Sequence, residues 1–492
     1  MGDTPPADNA LTDRLLRSWL RCRRKAWLDR HGDPAERHWT AHRNLLLDDQ
    51  QRCFVALLPR KPGHGLAACA AGAEAVVGLR LKGQGPSGEP LEAHPPLLRR
   101  VKGQSRWGDF AYQPVIARQG RRTTREHQLP LALMAVLLEQ EQQGDVPSML
   151  VLGGGGRRLE QERVHLSSSL RRQLSEALRK LRADLERSVP PPLAADRRKC
   201  SLCSWRVACN AVAAEEGHLS EVSGIGAKRR EMLLELGIRG LSDLAAADPA
   251  QLAERLQRFG EQHGEVAASL VAQARAQRDG RVDRLDAAPA LPELGDCPGV
   301  LLYDIESDPD ARHDFLHGFL VLPRTESGAW DLASVAYHPI LALAEHGELR
   351  CWLRLQRLLH RYRGWPILHY GETESLALLR MAQRQGASDR ERRLLKQRLV
   401  DVHARVRRCW RLPLNSYGLK AVAAWRGFQW RQRSVDGARA LLWWRQWRGS
   451  GPSDRGHAQA LRWIFTYNED DGLATWAVAS WLLAEDQRGP SE

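Results

Sequence analysis

The sequence predicts an α/β protein of several domains, and three observations carry that expectation. The chain has 492 residues, more than one core normally holds, so two to four domains are expected. Its hydrophobic content of 43% and charged content of 27% are those of a globular chain. Short β-branched and aromatic runs such as VLLYDIE alternate with helical patterns such as HLSSSLRRQLSEALRKLRADLERS (165–188), whose leucines recur on one face.

The formal net charge is +14 and the pI about 9.7. Such a balance favours a polyanionic partner, nucleic acid first and an anionic membrane surface well behind. No run approaches the roughly 18 apolar residues of a membrane span. The start MGDTPPADNALTDRLL lacks the basic-then-apolar layout of a signal peptide, and Pro6 stands where myristoylation needs Ser or Thr. Nine cysteines, an odd count, with no export signal point to reduced thiols and a cytoplasmic location.

Four segments follow one another. Residues 1–215 mix strands and helices, and the consecutive prolines of SVPPPLAADRR break the last long helix. Residues 216–262 read as a compact helical module. Residues 263–296 read as a helix followed by an Ala/Pro-rich linker. Residues 297–492, with their first strand near Gly299, mix strands with helices such as EDDGLATWAVASWLLAE.

In the first segment, KCSLCSWRVAC brings Cys200, Cys203 and Cys209 into one short loop, where three thiolates can converge on a metal. Cys22, in the basic stretch LLRSWLRCRRKAWLDRHG, is the best fourth ligand. The layout resembles the iron–sulfur RecB-family nucleases, in which one cysteine precedes the nuclease core and three follow it. The resemblance implies a 4Fe–4S cluster clasping the domain's two ends. Structural zinc and buried free thiols are the competing readings. Cys53, Cys69, Cys297, Cys351 and Cys409 are isolated and read as core residues.

Between those cysteines, WGDFAYQPVIARQGRRTTREHQLPLALMAVLLEQ resembles the strand and helix of the RecB-like PD-(D/E)xK core. Gln128 falls where that family's helix carries Gln. The strand positions for Asp/Glu-x-Lys are Ile116, Ala117 and Arg118, and Pro96 stands for the family's first Asp. Isoleucine cannot hold Mg²⁺, and the fixed, delocalised charge of Arg cannot replace Lys. Asp109 alone does not make a site. The expectation is a RecB-like α/β domain that keeps the fold and has lost the nuclease. RRTTREH, RRK and RCRRK then supply cations for phosphate contacts or form solvated faces.

HLSEVSGIGAKRREMLLELGIRGLSDLAAAD (218–248) resembles a helix-hairpin-helix, a motif that binds nucleic-acid backbone. Gly224 and Gly226 would form the hairpin, where backbone N–H groups approach a phosphate, and Lys228, Arg229 and Arg230 open the following helix. A packing module joining two larger domains is the alternative.

In GVLLYDIESD (299–308), Asp304 and Glu306 are two apart on an apolar strand and so share a face. A divalent cation would turn their repulsion into attraction; a solvated acidic turn is the plain alternative. Downstream, WPILHYGETESLALLRM carries Glu374, with Glu372 as fallback; RLVDVHARV carries Asp401 ahead of an SYGLK segment. FTYNEDDGLATWAVASWLL carries Tyr467 and Asp471, four apart on a helix and on one face, with Asp470 on another. Taken in order, these motifs resemble a ribonuclease-H-like exonuclease of the DnaQ/DEDD type, with Glu374 in place of the usual Asp. The resemblance implies two-metal phosphodiester hydrolysis with 3′-to-5′ polarity. Asp304, Glu306 and Asp471 would hold Mg²⁺ or Mn²⁺, Glu374 would assist, and Tyr467 would orient the water.

The chain has 17 tryptophans, and WRGFQWRQRSVDGARALLWWRQWRG interleaves Trp425, Trp430, Trp443, Trp444 and Trp447 with Arg. Such rings suit stacked bases of a single strand, but most fit the buried face of a helix. The expected protein is a metal-dependent exonuclease on single-stranded DNA or RNA, with no membrane partner. A non-catalytic nucleic-acid scaffold with two degenerate nuclease domains is the rival reading. A shifted N-terminal register, leaving two working nucleases, is a third.

Overall fold

The computed structural model describes residues 9–488 apart from 59, 119–121, 154–158, 195–196, 310 and 312. Pro6, Arg121 and the side chain of Arg198, which entered the readings above, lie outside the described residues. The chain divides into two compact units, Met1–Asn210 and Ala211–Glu492.

The first unit is built on a six-stranded sheet of β1 (Gly63–His64), β2 (Ala75–Val77), β3 (Leu97–Val101), β4 (Ala111–Arg118), β5 (Met149–Gly153) and β6 (Glu160–Val164), in that spatial order. Strand β4 runs antiparallel to β3 and parallel to β5. A parallel pair needs a crossover, and α2 (Arg125–Gln142) supplies it; α1 is Asp13–Arg21 and α3 is Ser168–Leu185. Every residue of β4 is buried, as a strand covered on both faces requires. Leu16, Leu129, Leu133 and Leu178 of the three helices share one core with Tyr112 and Ile116 of β4.

The second unit opens with the helical module. Helix α4 (Ala227–Glu235) follows the Gly224–Gly226 turn, and Leu233, Leu244 and Leu252 share a core with Leu270 and Val271 of α5 (Ala267–Asp279). The helix expected within 263–296 thus completes the module. The rest of that stretch is packed chain, not a free linker: Asp283–Arg284 pairs with Trp410–Arg411, and Ala290, Leu291 and Leu294 enter the core of the C-terminal domain.

That domain holds a five-stranded sheet of β7 (Gly299–Asp308), β8 (His313–Pro323), β9 (Ala336–Leu341), β10 (Ile367–His369) and β11 (Leu399–Asp401), in the order β9-β8-β7-β10-β11. The middle strand β7 is antiparallel to β8 and parallel to β10. Leu301 and Tyr303 face α6 (Gly347–Arg361) and α7 (Glu372–Arg384). Leu302 points the other way, toward a core shared with Ala474 and Val478 of α10 (His457–Arg488). Period-two alternation then puts Asp304 and Glu306 on the α10 side. Two glycines let helix and sheet approach: a Cβ on Gly472 would lie 2.6 Å from Leu320 Cδ1, and one on Gly318 would lie 1.6 Å from Asn468 Oδ1. Among the described residues, no helix is long and apolar enough to cross a membrane.

Candidate active site

Asp304 and Glu306 come from the middle of β7 and Asp471 from α10, and one ligand oxygen from each lies within 4.8 Å of the others. Among the described residues this is the one group of three or more Asp, Glu, His or Cys side chains that converges so closely. Glu306 and Asp471 are buried. Burial holds Asp304 and Glu306 well above the usual carboxylate range, and the neighbouring charge of Asp471 adds to it. Asp471 is raised for the same first reason. Like charges crowded out of water are costly, and a divalent cation between them removes the cost.

Three neutral groups hold the trio. Asn468 Nδ2 donates to Asp304 Oδ2 at 2.6 Å, and its Oδ1 accepts from Tyr337 of β9 at 2.8 Å. Trp430 Nε1 donates to Asp471 Oδ1 at 2.7 Å. Tyr467, also buried, hydrogen-bonds Asp471 from one turn earlier on α10. Asp470 faces elsewhere and is bound by the Arg431 backbone and guanidinium at 2.8 and 2.6 Å.

Glu374 enters from the first turn of α7, outside the close trio, while Glu372 is exposed. Its Oε2 is buried without a hydrogen-bond partner among the described residues, and burial pushes its carboxyl up to about 7. Asp401 closes β11 and accepts from the backbone N–H of Gly371 at 3.0 Å, which fixes the turn leading into α7. Sequence reasoning missed Asn468, the hydrogen bond of Trp430, and Lys420. Lys420 lies on α8 (Leu419–Trp425), with its ammonium 4.9 Å from the Tyr467 ring centre.

A family model described as the RNase H superfamily matches residues 301–483. The C-terminal half carries an RNase H-like domain. The match covers all three residues of the acidic trio. None of the curated proteins compared matches the chain.

The remaining residues singled out from the sequence fall elsewhere. In the first unit, Ile116 is buried in the sheet and Arg118 pairs with Glu160 at 2.6 Å. Pro96 just precedes β3, Gln128 lies half-buried in the first turn of α2, and Asp109 is exposed. A cleft of about 950 Å³ beside the start of α2 is lined by Arg23, Arg122, Arg125, Lys180 and Lys199. Cys22, Cys200, Cys203 and Cys209 line a single small cavity with Arg24 and Lys25. Burial pushes the last three thiols up. Their sulfurs do not reach the spacing of a tetrahedral zinc site, where bonds of about 2.3 Å put sulfurs about 3.8 Å apart. Cys53, Cys69, Cys351 and Cys409 are buried and Cys297 half-buried.

In the module, Gly224 has φ +91 and both Gly224 and Gly226 are exposed. Lys228 is exposed in the first turn of α4, Arg229 folds back on the Gly224 carbonyl, and Arg230 is half-buried. Of the tryptophans, Trp443 and Trp444 of α9 (Gly437–Gly449) are buried and Trp425 packs edge-on against Trp481.

Proposed function

We propose that the C-terminal domain is a metal-dependent phosphodiesterase that removes nucleotides from single-stranded nucleic acid in the 3′-to-5′ direction. The convergence of Asp304, Glu306 and Asp471 within 4.8 Å carries this reading. The donor set fits a hard cation: three carboxylates, two of them buried, with the unpartnered Glu374 Oε2 at their edge. Asp304, Glu306 and Asp471 would hold Mg²⁺ or Mn²⁺, with Glu374 assisting. Bound there, such ions supply a water of lowered pKa and neutralise charge on the leaving oxygen.

The chain's own groups do the positioning. Tyr467, tied to Asp471, orients the attacking water by its hydroxyl, and Asn468 and Trp430 keep two carboxylates aimed at one point. Polarity rests on the likeness to DnaQ-type exonucleases alone. The test is hydrolysis of 3′-labelled and 5′-labelled single-stranded DNA and RNA with Mn²⁺, comparing the protein with Asp304→Ala. Loss from the 3′ end that vanishes in the variant supports the reading; cleavage that survives the substitution overturns it.

The first unit, in the same reading, grips the strand and does not cut it, as a degenerate RecB-like domain. Its basic cleft supports binding, and Ile116 and Arg118 stand where the carboxylate and lysine would be. The module adds a phosphate contact at Gly224, Gly226 and Lys228, with Arg229 and Arg230 behind them. Shared lining of one cavity by Cys22, Cys200, Cys203 and Cys209 supports an iron–sulfur cluster, wider than a zinc ion and balanced by the nearby Arg24 and Lys25. Iron and acid-labile sulfide in protein purified without oxygen test that assignment; zinc at one equivalent refutes it.

A further inference from the structure

Lys420 is a cation acting on the acidic trio that the mechanism above does not use. Lys420 projects from the first turn of α8, is exposed, and carries its ammonium 4.9 Å from the ring centre of Tyr467 and 5.9 Å from that of Trp430. Both side chains hydrogen-bond Asp471, so the ammonium packs on the two rings that hold that carboxylate. Lys420 is among the charges that act on Asp304 and Glu306, in the opposite sense to the neighbouring carboxylates. Arg431, the nearest alternative in sequence to Trp430, is committed to Glu469 and Asp470.

The placement of Lys420 is built, not incidental. Its ammonium donates to the Val435 carbonyl. The residue before it, Ser434, has φ +60, a left-handed conformation that non-glycine residues seldom adopt. Such a backbone persists only where its surroundings enforce it, and it is concentrated at functional sites. The two aromatic faces offer a flat, weakly attractive seat that leaves two ammonium protons free to point toward solvent.

We infer that Lys420 is a catalytic residue of this site, donating from its ammonium to a non-bridging oxygen of the scissile phosphodiester. The inference rests on the function proposed above. The phosphate arrives from the solvent side, where Lys420 is exposed, while the carboxylates lie beneath. Charge that builds on the phosphate oxygens during in-line attack is met by the ammonium on one side and, on the other, by the cation that Asp304, Glu306 and Asp471 would hold. The proton stays on nitrogen throughout, so the step is electrostatic and consumes no co-reactant.

The experiment measures kcat and KM on labelled single-stranded substrate for the full chain, Lys420→Met, Lys420→Arg and Asp304→Asn. Mn²⁺ affinity is read in parallel by calorimetry without substrate. Lys420→Met is expected to lower kcat by about 100-fold while binding Mn²⁺ at least as tightly as the parent, since a repelling charge has gone. Lys420→Arg recovers part of the loss. A kcat within threefold of the parent overturns the inference, as does a loss of Mn²⁺ binding or of folded protein that matches the loss of rate. Hydrolysis and Mn²⁺ binding that ignore Asp304→Asn overturn the underlying function instead.

Discussion

Asn468 Nδ2 and Asp304 Oδ2 are 2.6 Å apart, and this hydrogen bond joins α10 to the middle strand of the sheet at the point where the acidic trio forms. The amide leaves its oxygen to Tyr337, so its orientation is set from both sides and its donors face carboxylates. It also hydrogen-bonds Glu306. Replacing it by Ala removes a donor from a buried acidic pair, which costs roughly 1–3 kcal/mol. Asn468→Ala is expected to weaken Mn²⁺ binding and lower kcat by about 10–100-fold, read by calorimetry and steady-state hydrolysis.

Trp430 presents a second such contact, with Nε1 2.7 Å from Asp471 Oδ1. Phenylalanine keeps a ring under Lys420 but has no N–H. Trp430→Phe should therefore cut activity by about tenfold with little change in thermal stability. A variant that melts many degrees lower would make Trp430 a packing residue.

Gly318 faces Asp304 across the β7–β8 pair, and any side chain there meets Asn468 Oδ1 at 1.6 Å and the Tyr337 ring at 3.1 Å. Gly318→Ala must displace the Asn468 amide from between Tyr337 and Asp304. The expected loss is about 1–3 kcal/mol in denaturant unfolding, accompanied by weakened Mn²⁺ binding.

Glu374 titrates near 7 because it is buried, above the ordinary 4.5. The folded protein binds a proton between those values that the unfolded chain does not. Without metal, stability therefore falls as pH rises from about 4.5 to about 7, by roughly 3 kcal/mol for that group. Glu374→Gln should flatten this fall in urea titrations, and saturating Mn²⁺ should flatten it in the parent.

His317 works in the opposite sense. Burial lowers it to about 4 from 6.5, and its Nδ1 meets the Tyr303 hydroxyl at 2.8 Å. The unfolded chain binds the proton first, so stability is lost as pH falls from about 6.5 toward 4, again by roughly 3 kcal/mol. His317→Gln should remove that acid-side loss.

How much of this was legible in the sequence follows from which signals are local. The alternation in VLLYDIE tells which residues share a face, so Asp304 and Glu306 could be paired before any fold was known. The four-residue spacing of Tyr467 and Asp471 does the same on a helix. Asn468 escaped because its partner lies on a strand far away in sequence, and one step along a helix from Tyr467 says nothing about burial against a distant glycine. Lys420 was visible only as part of SYGLK, since its position over Tyr467 depends on how α8 and α10 cross. The stretch 263–296 read as a linker after its helix because Ala and Pro mimic one locally. Its packing against Trp410 and the core is a tertiary fact.

The most direct test of the central claim is anomalous diffraction from crystals soaked in Mn²⁺. A strong peak is expected among Asp304, Glu306 and Asp471, at about 2.1–2.2 Å from their oxygens, and it should disappear in Asp304→Asn. Crystals with no peak at the trio under saturating Mn²⁺, or with one that survives the substitution, would contradict it.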